Sequence, residues 1–134
     1  MKTFVNFSNH PSALWEKKQR EDAERYGQIV DYPFPSVDAE AGTEQILQLA
    51  EMCVGEILKR DPAAVMCQGE FTLVYAVVRK LKAADVSCLA ACSRRVVMER
   101  KMEDGTSRKE SVFEYVKFRE YAEWGRKRKR CVRR

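Results

Sequence analysis

Val65-Met66-Cys67-Gln68-Gly69-Glu70-Phe71-Thr72-Leu73 (residues 65–73) packs a strand end, a glycine turn and a helix start into one run. Val65, Met66 and Cys67 read as the end of a buried strand. Gln68-Gly69-Glu70 turns into an apolar-periodic helix with Thr72 in its first turn. Such a junction points free backbone N–H groups and the positive end of the helix dipole at the turn, so it predicts an anion site. Three other strand ends carry similar polar marks: Ser8-Asn9-His10, Tyr32-Pro33-Phe34-Pro35 and Cys92-Ser93-Arg94-Arg95. In open α/β sheets, such ends converge on one crevice where ligands bind.

Outward from this run, strands and helices alternate. Residues 3–8 (TFVNFS) predict a first strand. Ser12 suits the N-cap of a charged helix to about Tyr26, and Gly27 suits its C-terminal stop. Gln28–Asp31 predicts a second strand. Thr43 to Lys59 predicts a helix whose stripe is Ile46, Ala50, Cys53 and Ile57, widened by Leu47, Val54 and Leu58. Asp61-Pro62 stops it. A third strand spans 63–67, and a third helix spans 69–83 with Val74, Val77, Val78 and Leu81 at helical spacing. Val86–Cys92 is almost wholly apolar or small, as a strand covered on both faces should be. Arg95–Met102 and Ser107–Phe118 then predict a hairpin turning at Asp104-Gly105. The alternation predicts an α/β fold: a three-layer Rossmann-like sandwich over residues 1–122, its sheet mainly parallel, with a C-terminal antiparallel hairpin. Residues 123–134 read as a basic, disordered tail.

The chain has 134 residues, enough for one core. No run approaches the ~20 apolar residues of a membrane helix, and the N-terminus does not read as a signal peptide, so a cytoplasmic protein is expected. The five cysteines agree. Cys53, Cys67, Cys88 and Cys92 lie in apolar patterns and read as small buried hydrophobes, and Cys131 lies in the tail. The net charge of +5 is concentrated at one end. Residues 126–134 carry seven of the 25 basic side chains, leaving 18 against 20 acidic ones in the rest. The globular part is thus no basic nucleic-acid surface, whereas the tail could make weak nucleic-acid contacts without sequence preference. No GxGxxG follows the first strand and no GxxxxGK[ST] occurs, which argues against dinucleotide cofactors and P-loop chemistry. A lone histidine and scattered carboxylates predict no metal site. No cofactor is expected.

The candidate site is drawn from the four strand ends. His10 is the only histidine and can exchange a proton near neutral pH, so it is the candidate general acid or base; its alternative role is to cap the first helix. Ser8 and Asn9 precede it in the same loop. Gln68 and Thr72 offer neutral donors and acceptors for a phosphate, a ribose or a base edge, beside the Gly69 turn. Glu70 could stabilise its helix, bind a ribose or act as a base, although its carboxylate competes with a phosphate for the dipole. Ser93, Arg94 and Arg95 read as a phosphate clamp, since guanidinium pairs bidentately with phosphate. One arginine could instead pair with a hairpin carboxylate such as Glu99. Asn6, polar within an apolar strand, needs a structural hydrogen-bond partner. Tyr32 and Phe34 suit base stacking or core packing, and Trp15 suits packing.

The segments NFSNHPSALW and QGEFT, on a small βαβαβαβ frame, resemble the CRISPR-associated Rossmann-fold (CARF-like) proteins, specifically the small stand-alone ring nucleases. The resemblance covers roughly residues 3–95. It implies a homodimer that binds a cyclic oligoadenylate across its interface and cleaves it without metal, by attack of a ribose 2′-hydroxyl on the adjacent phosphate. In that chemistry Arg94 or Arg95 would supply charge, His10 would move a proton, and Ser8, Gln68 and Thr72 would position the ligand. The hairpin and basic tail depart from the simplest members. Other readings stay open: a sensor that binds a cyclic nucleotide without turnover, a small enzyme acting on a nucleoside or phosphorylated metabolite, or a scaffold whose tail is the functional element.

Overall fold

Among the described residues of the computed structural model, nine elements follow one another: β1 (Thr3–Phe7), a 3-10 turn (Ser12–Leu14), α1 (Lys17–Glu24), β2 (Gln28–Asp31), α2 (Thr43–Leu58), β3 (Pro62–Cys67), α3 (Phe71–Ala83), β4 (Ser87–Lys101) and β5 (Ser107–Glu120). The structure describes residues 1–124; the basic segment 126–134, with Cys131, lies outside the described residues. The fold is mixed α/β around a five-stranded sheet ordered β2-β1-β3-β4-β5. The β1–β2, β1–β3 and β3–β4 pairs are parallel, and β4–β5 is antiparallel. Among the described residues, no helix is long and apolar enough to cross a membrane.

Strand alternation divides the core between the two faces of the sheet. Val5, Phe7, Val65, Cys67 and Cys88 point to one face and are covered by Ala50, Cys53, Val54 and Ile57 of α2 and by Leu73, Val74, Val77, Val78 and Leu81 of α3. Phe4, Ala64, Met66 and Leu89 point to the other, against Ala23 of α1, Trp15 and Phe118. The helical stripes read from the sequence are therefore the packed ones, except that Leu47 and Leu58 are largely exposed.

Phe118 of β5 and Phe4 of β1 are three strands apart, yet their ring centroids are 5.1 Å apart. A flat sheet with strands ~4.8 Å apart would hold them ~14 Å apart. The sheet is therefore curled toward α1, as a half-barrel. A bulge helps to aim the side chains. Cys92 pairs with Lys117 and Ser93 with Tyr115, so Val116 is the extra residue. Tyr115 and Phe118, three apart, then share one face and meet edge to face at 5.3 Å.

Two expectations are corrected here. The helix expected from Ser12 to Tyr26 is broken into the 3-10 turn and the eight-residue α1. Tertiary partners break it: the Trp15 indole donates to the His10 carbonyl, and the Ser12 N–H donates to Asp31 rather than Ser12 capping α1. The strand expected to end at Cys92 continues through Ser93 to Lys101 as a single strand. The change from apolar to charged side chains marks the point where β4 leaves the covered sheet, not a break in the strand.

Candidate functional site

The chain leaves β1 toward β2 on one side and returns to β3 on the other, so the sheet's topological switch lies between the carboxyl ends of β1 and β3. Three of the four marked strand ends meet there. The Phe34 N–H donates to Ser8 O at 3.2 Å, and the Gln68 N–H donates to Phe7 O at 3.2 Å.

The loop after β1 is clamped from below by a buried polar network. Asn6 is 1% exposed, and its Nδ2 donates to His10 O (2.9 Å) and Asp31 Oδ1 (3.0 Å). Its Oδ1 accepts from the Ser8 hydroxyl at 2.6 Å, and that hydroxyl in turn accepts from the His10 N–H at 3.1 Å. Asn6 has the structural role its position required. Ser8 is buried and its hydroxyl is used inside the protein, so it supports the loop rather than facing a ligand. Asn9 and His10 are exposed, and no described residue hydrogen-bonds the His10 imidazole.

At the start of α3 the geometry differs from the expected open anion site. Glu70 is the N-cap: its carboxylate accepts from the Thr72 hydroxyl (2.6 Å) and the Leu73 N–H (2.9 Å). Those bonds, the one from Thr72 foremost, hold the Glu70 carboxyl below its ordinary range. The helix terminus thus carries its own anion, and a phosphate would have to displace it. The Gln68 side-chain oxygen accepts from the Ala91 N–H, closing the edge of β4 where β3 ends. Gly69 lies under the Phe34 ring, and a Cβ there would sit 2.6 Å from the ring carbons.

Ser93, Arg94 and Arg95 do not join this group at a strand end; they lie within β4, on the ribbon that it forms with β5. Arg94 pairs with Glu114 at 3.9 Å, and Arg95 Nε donates to Ser111 Oγ at 2.9 Å. Tyr32 and Phe34 pack on Phe7, with centroids at 5.2 and 4.8 Å, and the Arg60 guanidinium lies 4.7 Å from the centre of the Tyr32 ring. Of their two expected roles they take core packing. Burial pushes the Cys67 thiol up and the Cys88 thiol up to about 12, as small core side chains.

Sequence reasoning passed over Phe71 and Tyr75. They sit one turn apart on the outer side of α3, 88% and 65% exposed, with Arg79 against the Tyr75 ring. The available signal was their absence from the apolar stripe that begins at Leu73 and Val74. A separate open hollow of about 330 Å³ lies on the α1 side between Asp22, Arg25, Tyr26, Lys117 and Phe118. Among the described residues, no group of three or more His, Cys, Asp or Glu is arranged to hold a metal ion.

Residues 2–119 match the family model described as Uncharacterized protein MJ1673 family, and the chain belongs to that family. No curated protein and no solved structure matches the chain significantly.

Proposed function

We propose that this member of the MJ1673 family is a cytoplasmic, metal-independent ring nuclease that binds a cyclic oligoadenylate between the strand ends of two paired subunits. The reading treats the curled sheet, with α1 on one face and α2 and α3 on the other, as a Rossmann-like three-layer arrangement. The observation that carries it is His10: an exposed imidazole without a hydrogen-bond partner among the described residues, on a loop clamped by Asn6, Ser8 and Asp31 at the β1/β3 switch. A rigid loop holding a free proton-transfer group suits in-line attack within a bound ligand. In that step a ribose 2′-oxygen bonds to the adjacent phosphorus and the bond to the 5′-oxygen breaks. His10 takes the 2′ proton while water protonates the departing 5′-oxygen, or supplies that proton while water takes the 2′ one, leaving a 2′,3′-cyclic phosphate and a 5′-hydroxyl. Phe71, exposed at the start of α3, offers a face for an adenine to stack on.

A second reading, a sensor without turnover, is favoured by the state of the other polar groups. Glu70 is engaged as a cap, and Arg94 and Arg95 are engaged across the ribbon. Incubation with a panel of cyclic oligonucleotides in EDTA, read by liquid chromatography and mass spectrometry, separates the two readings. Linear products with cyclic-phosphate ends, slowed by roughly 10²-fold or more in His10→Ala with affinity kept, are the expected result. Intact ligand that co-elutes with the protein would establish the sensor, and neither cleavage nor binding would overturn both readings.

A further inference from the structure

The β4–β5 ribbon outgrows the sheet that anchors it. β3 pairs with β4 only along Ser87–Leu89, whereas β4 and β5 pair from Leu89–Glu120 out to Lys101–Ser107. Two side chains close the edges where the ribbon departs: Gln68 accepts from the Ala91 N–H, and Glu16 accepts from the Tyr115 N–H at 2.8 Å. Beyond them no described strand pairs with either edge, and Val97 (58%), Met98 (55%) and Phe113 (72%) are exposed. A two-stranded ribbon is marginal alone in water, and an open edge is a template for another strand.

The charges say which strand it suits. On one face, Arg94 pairs with Glu114 and Arg100 with Glu110 at 3.4 Å. On the other face, Arg95 and Glu99 have no ion-pair partner among the described residues. They flank Val97 symmetrically, two residues to either side. The backbone direction agrees. The Ala91 N–H leaves the ribbon toward Gln68, and the N–H of Tyr115, register partner of Ser93, leaves it on the opposite edge. Alternation along an antiparallel pair then aims the backbone groups of Arg95, Val97 and Glu99 at the free edge of β4.

We infer that β4 pairs antiparallel with β4 of a second copy of this chain, with Val97 on the two-fold axis. Arg95 then lies opposite Glu99 of the partner subunit, Glu99 opposite Arg95 of the partner subunit, and Val96 beside Met98 of the partner subunit. The contact is isologous, so one register satisfies both unpaired charges twice. Because β4 runs parallel to β1 and β3, this pairing turns the carboxyl ends of the two sheets toward each other. The contact itself stands without the ring-nuclease reading, and its test uses no nucleotide.

The experiment is sedimentation of the full chain beside Arg95→Glu, Glu99→Arg and the double exchange, with circular dichroism to check folding. The expected result is a native dimer, a dissociation constant raised roughly tenfold or more by either single exchange, and recovery in the double one. These side chains are exposed on the ribbon, so the fold should survive. A native chain that is monomeric at every reachable concentration overturns the inference, as does a dimer indifferent to both single exchanges. A monomeric single-exchange variant that still cleaves cyclic oligoadenylate would support the ribbon contact while detaching it from the proposed activity.

Discussion

Asn6 shows why one polar side chain belongs in a buried strand. Its amide satisfies His10 O, Asp31 and Ser8 at once, so burying it leaves no orphaned group and fixes the loop that carries His10. Glu70 is the comparable residue at the start of α3, and its effect depends on pH. Its carboxyl titrates below the ordinary value because the Thr72 hydroxyl and the Leu73 N–H bond the charged form. A depressed folded pKa stabilises the fold fully above the unfolded value of ~4.3, and the effect is lost as pH falls through the lower folded value. The stability difference between the native chain and Glu70→Ala should therefore stay constant above pH ~6 and shrink toward pH ~3, read by urea titration at each pH. A difference that persists unchanged in acid would assign the cap another origin.

At the scale of elements, the edges matter most. A sheet that ends in a long ribbon exposes rows of backbone donors and acceptors, and Gln68 and Glu16 each cover one where the ribbon leaves the core. Gln68→Ala and Glu16→Ala should each lower stability to denaturant by about 1 kcal/mol, the net value of one hydrogen bond. Both should also raise irreversible association, measured by light scattering, because an uncovered edge recruits strands. Stability lost without added association would mean that the caps hold geometry rather than guard the edges. Gly69 and Phe34 are coupled in the same way. The ring is packed on Phe7 and 6% exposed, so the turn before α3 can only be glycine unless the ring moves.

Across the whole molecule, stability is graded. β1 and β3 lie between two packed faces, with Phe4, Val5, Phe7, Ala64, Val65 and Cys67 fully buried, whereas the ribbon beyond Ser93 has little covering it. Amide hydrogen exchange should therefore be slowest in β1 and β3 and fastest between about residues 94 and 112 in the monomer. Ribbon amides as slow as those of β3 under monomeric conditions would contradict this grading.

Local sequence patterns were enough for the alternating α/β order, β2 to the residue, the buried stripe of α3 and the turn at Asp104-Gly105, because period, turn chemistry and helix stops are local properties. The same patterns marked His10, Gln68 and Gly69 as residues that follow strand ends, since strand ends follow from element order. Contacts made in the folded chain set the rest: Trp15 and Ser12 break the first helix, Phe34 covers Gly69, and Gln68 serves Ala91. Pairing with β5 likewise places Arg94 and Arg95 in mid-strand rather than at a strand end. Apart from the short reach of Trp15 to His10, those outcomes depend on partners distant in the chain, such as Ala91 for Gln68 across 23 positions, and no local pattern encodes where such partners arrive.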